Sequence, residues 1–160
     1  MGLFDKLFKK GNKVYSPLKG KLIKLSEVND PTFSEGILGK GVAVIPTDGA
    51  LYAPFDGTVA FVANTKHALS LTSTNETELL IHVGLDTVKL DGKGYDVKVK
   101  NGDSFKKGDL LMTIDLDFIK SQGYDIVTPV IVCNPDAYKD VVGINEGREV
   151  NAGDEIISLL

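Results

Sequence analysis

The chain has one cysteine, two histidines, and no apolar stretch approaching the roughly 20 residues that a helix needs to cross a bilayer. Each scarcity excludes something. A lone Cys133 rules out an internal disulfide, and its place at the end of the apolar run Pro129-Val130-Ile131-Val132-Cys133 predicts a buried structural thiol, not a nucleophile. No secretory h-region follows the start, so the expected compartment is the cytoplasm, without stable membrane insertion. The phosphate-cradling pattern G-x-x-x-x-G-K-[ST] is absent, which removes ATP as the implied donor of a phosphoryl group. Basic residues are not in excess: 18 Lys and Arg against 22 Asp and Glu leave a net charge of −4. That balance argues against a nucleic-acid partner and permits a basic one.

What is present is enough for one sizeable core, with 160 residues, 42% hydrophobic and 25% charged. The first ten residues place Leu3, Phe4, Leu7 and Phe8 on one helical stripe among Lys6, Lys9 and Lys10, after which Gly11-Asn12 stops the pattern. Residues 1–12 are therefore read as an amphipathic tail and 13–160 as a single domain. Beyond the tail, β-branched alternation is broken by Gly, Pro, Asn and Asp, which predicts a mostly β body. Two internal repeats sharpen this. Val14-Tyr15-Ser16-Pro17-Leu18-Lys19-Gly20-Lys21-Leu22 returns as Leu51-Tyr52-Ala53-Pro54-Phe55-Asp56-Gly57-Thr58-Val59, and the segment 99–112 returns as 144–157 with its Gly-Asp turn in place. Repeated short strands and turns predict an all-β antiparallel sandwich or flattened barrel of repeated hairpin units, with one or two short helices, one of them around Leu116 to Ser121.

The chemistry is concentrated in His67 and His82, fifteen positions apart. Two strand-like runs flank the polar segment 72–77, and a turn centred between Thr74 and Asn75 would set residue 67 opposite residue 82 on one face of a hairpin. A shift of one residue would split the rings onto opposite faces. His82 interrupts the apolar run Leu79-Leu80-Ile81-His82-Val83, where a polar ring is costly without a partner or a purpose. Gly84 follows and can offer a carbonyl to one imidazole nitrogen, with Asp86 at the rim. Paired imidazoles suit phosphoryl transfer, general acid-base work or metal binding.

The stretches that decide among these are the segment 26–35, Gly39 to Pro46, Tyr-Ala-Pro-Phe-Asp-Gly-Thr-Val at 52–59, Thr65-Lys66-His67-Ala68, and Leu80 to Leu90. Taken in order, they resemble the IIA component of glucose-type sugar phosphotransferase systems. The resemblance implies that His82 takes a phosphoryl group on Nε2 from the histidine-containing phosphocarrier protein and passes it to a cysteine of a IIB domain. It implies that His67 stabilises the group in flight, that Thr65 hydrogen-bonds within the site, and that Asp30 and Asp86 meet basic side chains of the partner. Phe33, Ile37, Leu38, Val42 and Leu80 are implied as an apolar docking rim. No cofactor is implied, and other regulatory protein targets are open.

Two departures bear on partner preference: Lys40 stands where the family usually has Asp, and Ala63 where an aromatic often precedes the Thr-Lys-His segment. The chain carries no recognisable IIB or IIC segment, so it reads as a free-standing IIA protein. Three other readings compete. His82-Val83-Gly84-Leu85-Asp86 matches the H-x-G-x-D element of cell-wall zinc endopeptidases, but the third histidine they need is missing. No functional metal is expected, though His67, His82 and one carboxylate, from Asp86 or a partner, could hold zinc adventitiously or at an interface. A lipoyl- or biotinyl-type carrier fits the repeats, but Lys66 lacks the expected neighbours.

Overall fold

A computed structural model describes residues 12–160; the amphipathic stripe expected in the first ten residues lies outside them. The strands are β1 (Asn12–Tyr15), β2 (Gly20–Lys24), β3 (Lys40–Pro46), β4 (Ala50–Tyr52), β5 (Gly57–Val62), β6 (Ala68–Ser73) and β7 (Glu78–His82). They continue as β8 (Tyr95–Val97), β9 (Ser104–Phe105), β10 (Leu110–Ile114), β11 (Thr128–Val132), β12 (Val141–Gly143), β13 (Glu149–Val150) and β14 (Glu155–Leu159). Two short helices interrupt them, α1 (Pro31–Ser34) and α2 (Leu116–Ser121). The second is the helix expected from the sequence, its N-terminus capped by the Asp115 carboxylate, which accepts from the Phe118 N–H at 3.0 Å.

An eight-stranded antiparallel sheet in the order β13-β2-β3-β11-β7-β6-β5-β9 is joined by two three-stranded sheets, β1-β14-β12 and β4-β10-β8. The result is a flattened sandwich, not a closed barrel. Leu18, Leu22, Leu51, Leu69, Leu71, Ile81, Leu111 and Met112 are fully buried between the layers. Alternation along β7 decides which residues join them: Leu79 and Ile81 are buried, while Leu80 and His82 point to the outer face.

The repeats are real, but each copy is a corner and not a self-paired hairpin. β1 pairs with β14 and β2 with β13, while β4 pairs with β10 and β5 with β9. A copy of the first repeat therefore spans two sheets, zipped to a copy of the second. The corners themselves exchange hydrogen bonds as equivalents: Tyr15 N–H donates to the Pro54 carbonyl at 3.1 Å and Tyr52 N–H to the Pro17 carbonyl at 2.9 Å. Glycine is required at the strand entries of these corners, because a Cβ on Gly20 or Gly57 would collide with the backbone of the neighbouring strand.

The outer face of the large sheet is partly roofed. The segment from Leu25 to α1 lays Leu25, Val28 and Phe33 over Ile23, Ala43, Ile131 and Val127, forming a second, smaller apolar cluster with Leu80 at its margin. Cys133 corrects an expectation. It is exposed, one residue past the end of β11, although partial withdrawal of its sulfur from water and the nearby Glu78 carboxylate push the thiol up. No helix among the described residues is long and apolar enough to cross a membrane.

Candidate functional site

The two histidines meet by a route that strand pairing did not anticipate. The β6-β7 register pairs Ala68 with His82 and Thr72 with Glu78, so the turn is centred on Asn75, not between Thr74 and Asn75. Glu76 in the left-handed region, at φ 66°, supplies the extra residue of that turn. Residue 67 consequently faces residue 83, with Val83 N–H donating to the His67 carbonyl at 2.7 Å. Within a regular strand this shift would separate the rings. His67 escapes the rule because it precedes β6, in a loop where Lys66 at φ 64° turns the backbone before the pleat begins. The ring centroids lie 4.7 Å apart, edge to face at 79°.

Each ring is anchored through Nδ1. The His82 Nδ1 lies 2.8 Å from the Gly84 carbonyl, and because a carbonyl only accepts, the hydrogen sits on Nδ1 and Nε2 is left with its lone pair. His67 Nδ1 lies 2.8 Å from the Thr65 hydroxyl. Burial lowers the pKa of both rings. His67 is pushed down to about 4, first by burial and then by the neighbouring His82, against the opposing hydrogen bond at Thr65. His82 is lowered by burial, while the Gly84 hydrogen bond and the carboxylates of Asp30 and Asp86 pull it back up. Both rings are thus neutral at neutral pH.

Around them the expected residues fall into three groups. Phe33 is buried and closes one side of His82, its ring centroid 4.9 Å away. Ile37, at 67% exposure, and Leu38 are open to solvent beyond α1, and Leu80 is half-buried two residues before His82. Asp30 caps α1 by accepting from the Thr32 N–H at 3.0 Å and acts on His82 through its charge. Asp86 is exposed on a left-handed turn after Gly84, at φ 59°. Val42 is the exception and leaves the rim. It pairs with Val130, which also faces Ile81, so alternation along β3 sends its side chain into the main core at 0% exposure. Gly41 and Ala43 take the outer face instead.

Lys40 is paired with Asp140 at 3.6 Å, an exposed contact of small energetic weight. Among the described residues, no three His, Cys, Asp or Glu side chains converge as a metal site, so Asp86 does not complete a zinc set with the two histidines.

The model of the phosphoenolpyruvate-dependent sugar phosphotransferase system EIIA 1 family covers residues 12–138. The chain belongs to that family. It is 42% identical over 161 residues to the glucose-specific EIIA component of Oceanobacillus iheyensis, covering 97% of each chain. It is also 45% identical over 135 residues to the β-glucoside-specific EIIBCA component of Dickeya chrysanthemi, covering 84% of this chain. The chain spans only about a fifth of the length of such EIIBCA and EIICBA relatives. The glucose permease IIA of Mycoplasma capricolum superposes with a TM-score of 0.87 at 35% identity, with both chains fully covered.

Three features of the site were not read from the sequence. Phe61 is half-exposed on the outer face of β5, and Thr87 and Tyr95 support the backbone beside His82. Alternation from the buried Val59 would place Phe61 in the core. A bulge between them, with Val59 opposite Leu71 but Phe61 opposite Ser70, turns it out.

Proposed function

We propose that this EIIA takes a phosphoryl group on His82 Nε2 from the histidine-containing phosphocarrier protein and delivers it to a cysteine of a IIB domain, in the cytoplasm. The observation that carries the reading is the Nδ1 hydrogen bond from His82 to the Gly84 carbonyl, which leaves Nε2 as a bare base. Its lone pair attacks phosphorus as the donor's P–N bond breaks, and the released electron pair returns to the donor imidazole. In the second transfer a IIB thiolate attacks the same phosphorus and Nε2 recovers its lone pair.

His67 stands beside the path and stabilises the equatorial oxygens without carrying the group. Thr65 holds that ring through Nδ1. Asp30 and Asp86 supply negative charge for basic side chains of the partners, and Ile37, Leu38, Leu80 and the edge of Phe33 supply an apolar surface that excludes water from the phosphohistidine. The EIIBCA relatives carry IIA and IIB names in one chain, which supports a IIB domain as the acceptor.

The test is incubation with phosphoenolpyruvate, enzyme I and the phosphocarrier. One acid-labile phosphate is expected on the wild type and on His67→Gln, with poor onward transfer from the latter, and none on His82→Ala. Label on His67, or none on the wild type, overturns the assignment.

A further inference from the structure

His82 is only as well defined as the Gly84 carbonyl that receives its hydrogen, and that carbonyl belongs to a loop. Four hydrogen bonds immobilise the two peptide units that flank Gly84. Gly84 N–H donates to the Val127 carbonyl at 3.1 Å, and Leu85 N–H donates to the Asp125 carbonyl at 3.0 Å. The Val83 carbonyl accepts twice, from the Tyr95 hydroxyl at 2.7 Å and from the Thr87 hydroxyl at 2.7 Å. The first two bonds are ordinary backbone pairing. The other two are made by side chains that are themselves buried, Thr87 at 0% and Tyr95 at 6% exposure.

We propose that Tyr95 and Thr87 are positioning residues for His82, fixing the Val83–Gly84 peptide so that the Gly84 carbonyl stays aimed at Nδ1. The inference rests on His82 being the phosphoryl acceptor. A peptide held at its oxygen by two hydroxyls cannot rotate about its axis without losing both, and rotation is the motion that would withdraw the carbonyl of the next residue. Gly84 has a backbone free to make that motion, lying at φ +84°, where side chains are rarely tolerated. Freed of its acceptor, the ring would sample the other tautomer, with hydrogen on Nε2 and no lone pair for phosphorus. The Tyr95 hydroxyl is suited to a permanent donor's part, since burial pushes its pKa up to about 12.

The structure also provides a matched control. At the other end of β7, Tyr138 and Thr77 form a buried hydroxyl pair at 2.6 Å, remote from the histidines in the sheet. The experiment compares the full chain as wild type, Tyr95→Phe, Thr87→Val, Thr87→Ser, the Tyr95→Phe/Thr87→Val double variant and Tyr138→Phe. Nitrogen chemical shifts of the His82 ring report the tautomer, and single-turnover acceptance from the phosphorylated carrier reports rate. Tyr95→Phe and Thr87→Val are each expected to slow acceptance about threefold to tenfold, the worth of one neutral hydrogen bond, with Nε2–H signal appearing. The double variant shows a larger tautomer shift, Thr87→Ser stays near wild type, and Tyr138→Phe loses stability with the tautomer unmoved. If the double variant fails to fold, Tyr95→Phe alone decides, since it removes one oxygen and keeps the ring. An unchanged tautomer in the clamp variants, or an equal change in Tyr138→Phe, overturns the proposal. A wild type that takes no phosphate instead defeats the acceptor reading, and the tautomer measurement still judges the clamp.

Discussion

The ring of Phe33 lies 4.9 Å from that of His82 and tilts 55° against it, so a residue of the small outer cluster forms one wall of the site. This couples the roof over the sheet to the chemistry of the ring. Phe33→Ala removes a side chain only 4% exposed and is expected to cost about 3 kcal/mol of stability, as large-to-small core changes do. It also admits water to His82, whose pKa rises toward its ordinary 6.5 as the burial that depresses it is relieved. Phe33→Leu keeps most of the volume and should show a smaller loss on both counts. Denaturant melts and a His82 titration by NMR measure the two effects; a full stability loss with no movement of the titration would detach Phe33 from the site.

The depressed pKa values set a pH dependence of definite sign. Below 6.5 the unfolded chain takes up protons that the native rings refuse, so folding is progressively penalised as acid is added. The stability contributed by keeping His67 neutral is complete above 6.5 and is lost as pH falls through about 4. Urea midpoints of wild type should therefore drop more steeply between pH 7 and pH 4.5 than those of His67→Gln, which has no proton to take up there. Parallel curves for the two proteins would contradict a buried neutral His67.

Much of this was legible in the residues, and what was missed has physical causes. The repeats at Tyr15 and Tyr52 marked the β scaffold, and the isolated polar ring of His82 in an apolar run marked the site. The short helix expected around Leu116 to Ser121 is α2. The register error at His67 and the unread exposure of Phe61 are matters of strand phase, whereas Val42 came from the resemblance and regular alternation along β3 buries it. Strand alternation has a period of two, so one left-handed residue such as Glu76 or one bulge at Ala60 reverses every assignment beyond it, and single residues of that kind leave no periodic trace. Tyr95 was illegible for another reason: a hydroxyl that meets a carbonyl twelve positions away in the chain is a tertiary event.

Phe61 allows a direct test of how far the proposed docking surface extends. The register places Phe61, Ser70, Leu80 and Ile131 in one row across β5, β6, β7 and β11 on the outer face. At about 4.8 Å between strands, Phe61 sits two strands from Leu80, and a further two residues along β7 lead to His82. A protein that buries about 800 Å² while reaching His82 covers a patch wide enough to include Phe61. Phe61→Ser removes a ring that is already 50% exposed, so stability should stay within about 0.5 kcal/mol of wild type. The KM for the phosphorylated carrier or for IIB should rise several-fold with kcat preserved, the pattern of lost docking energy. Unchanged KM values for both partners would confine the docking surface to the side of His82 that carries Leu80, Ile37 and Leu38, and would leave the bulge before Phe61 without a role in recognition.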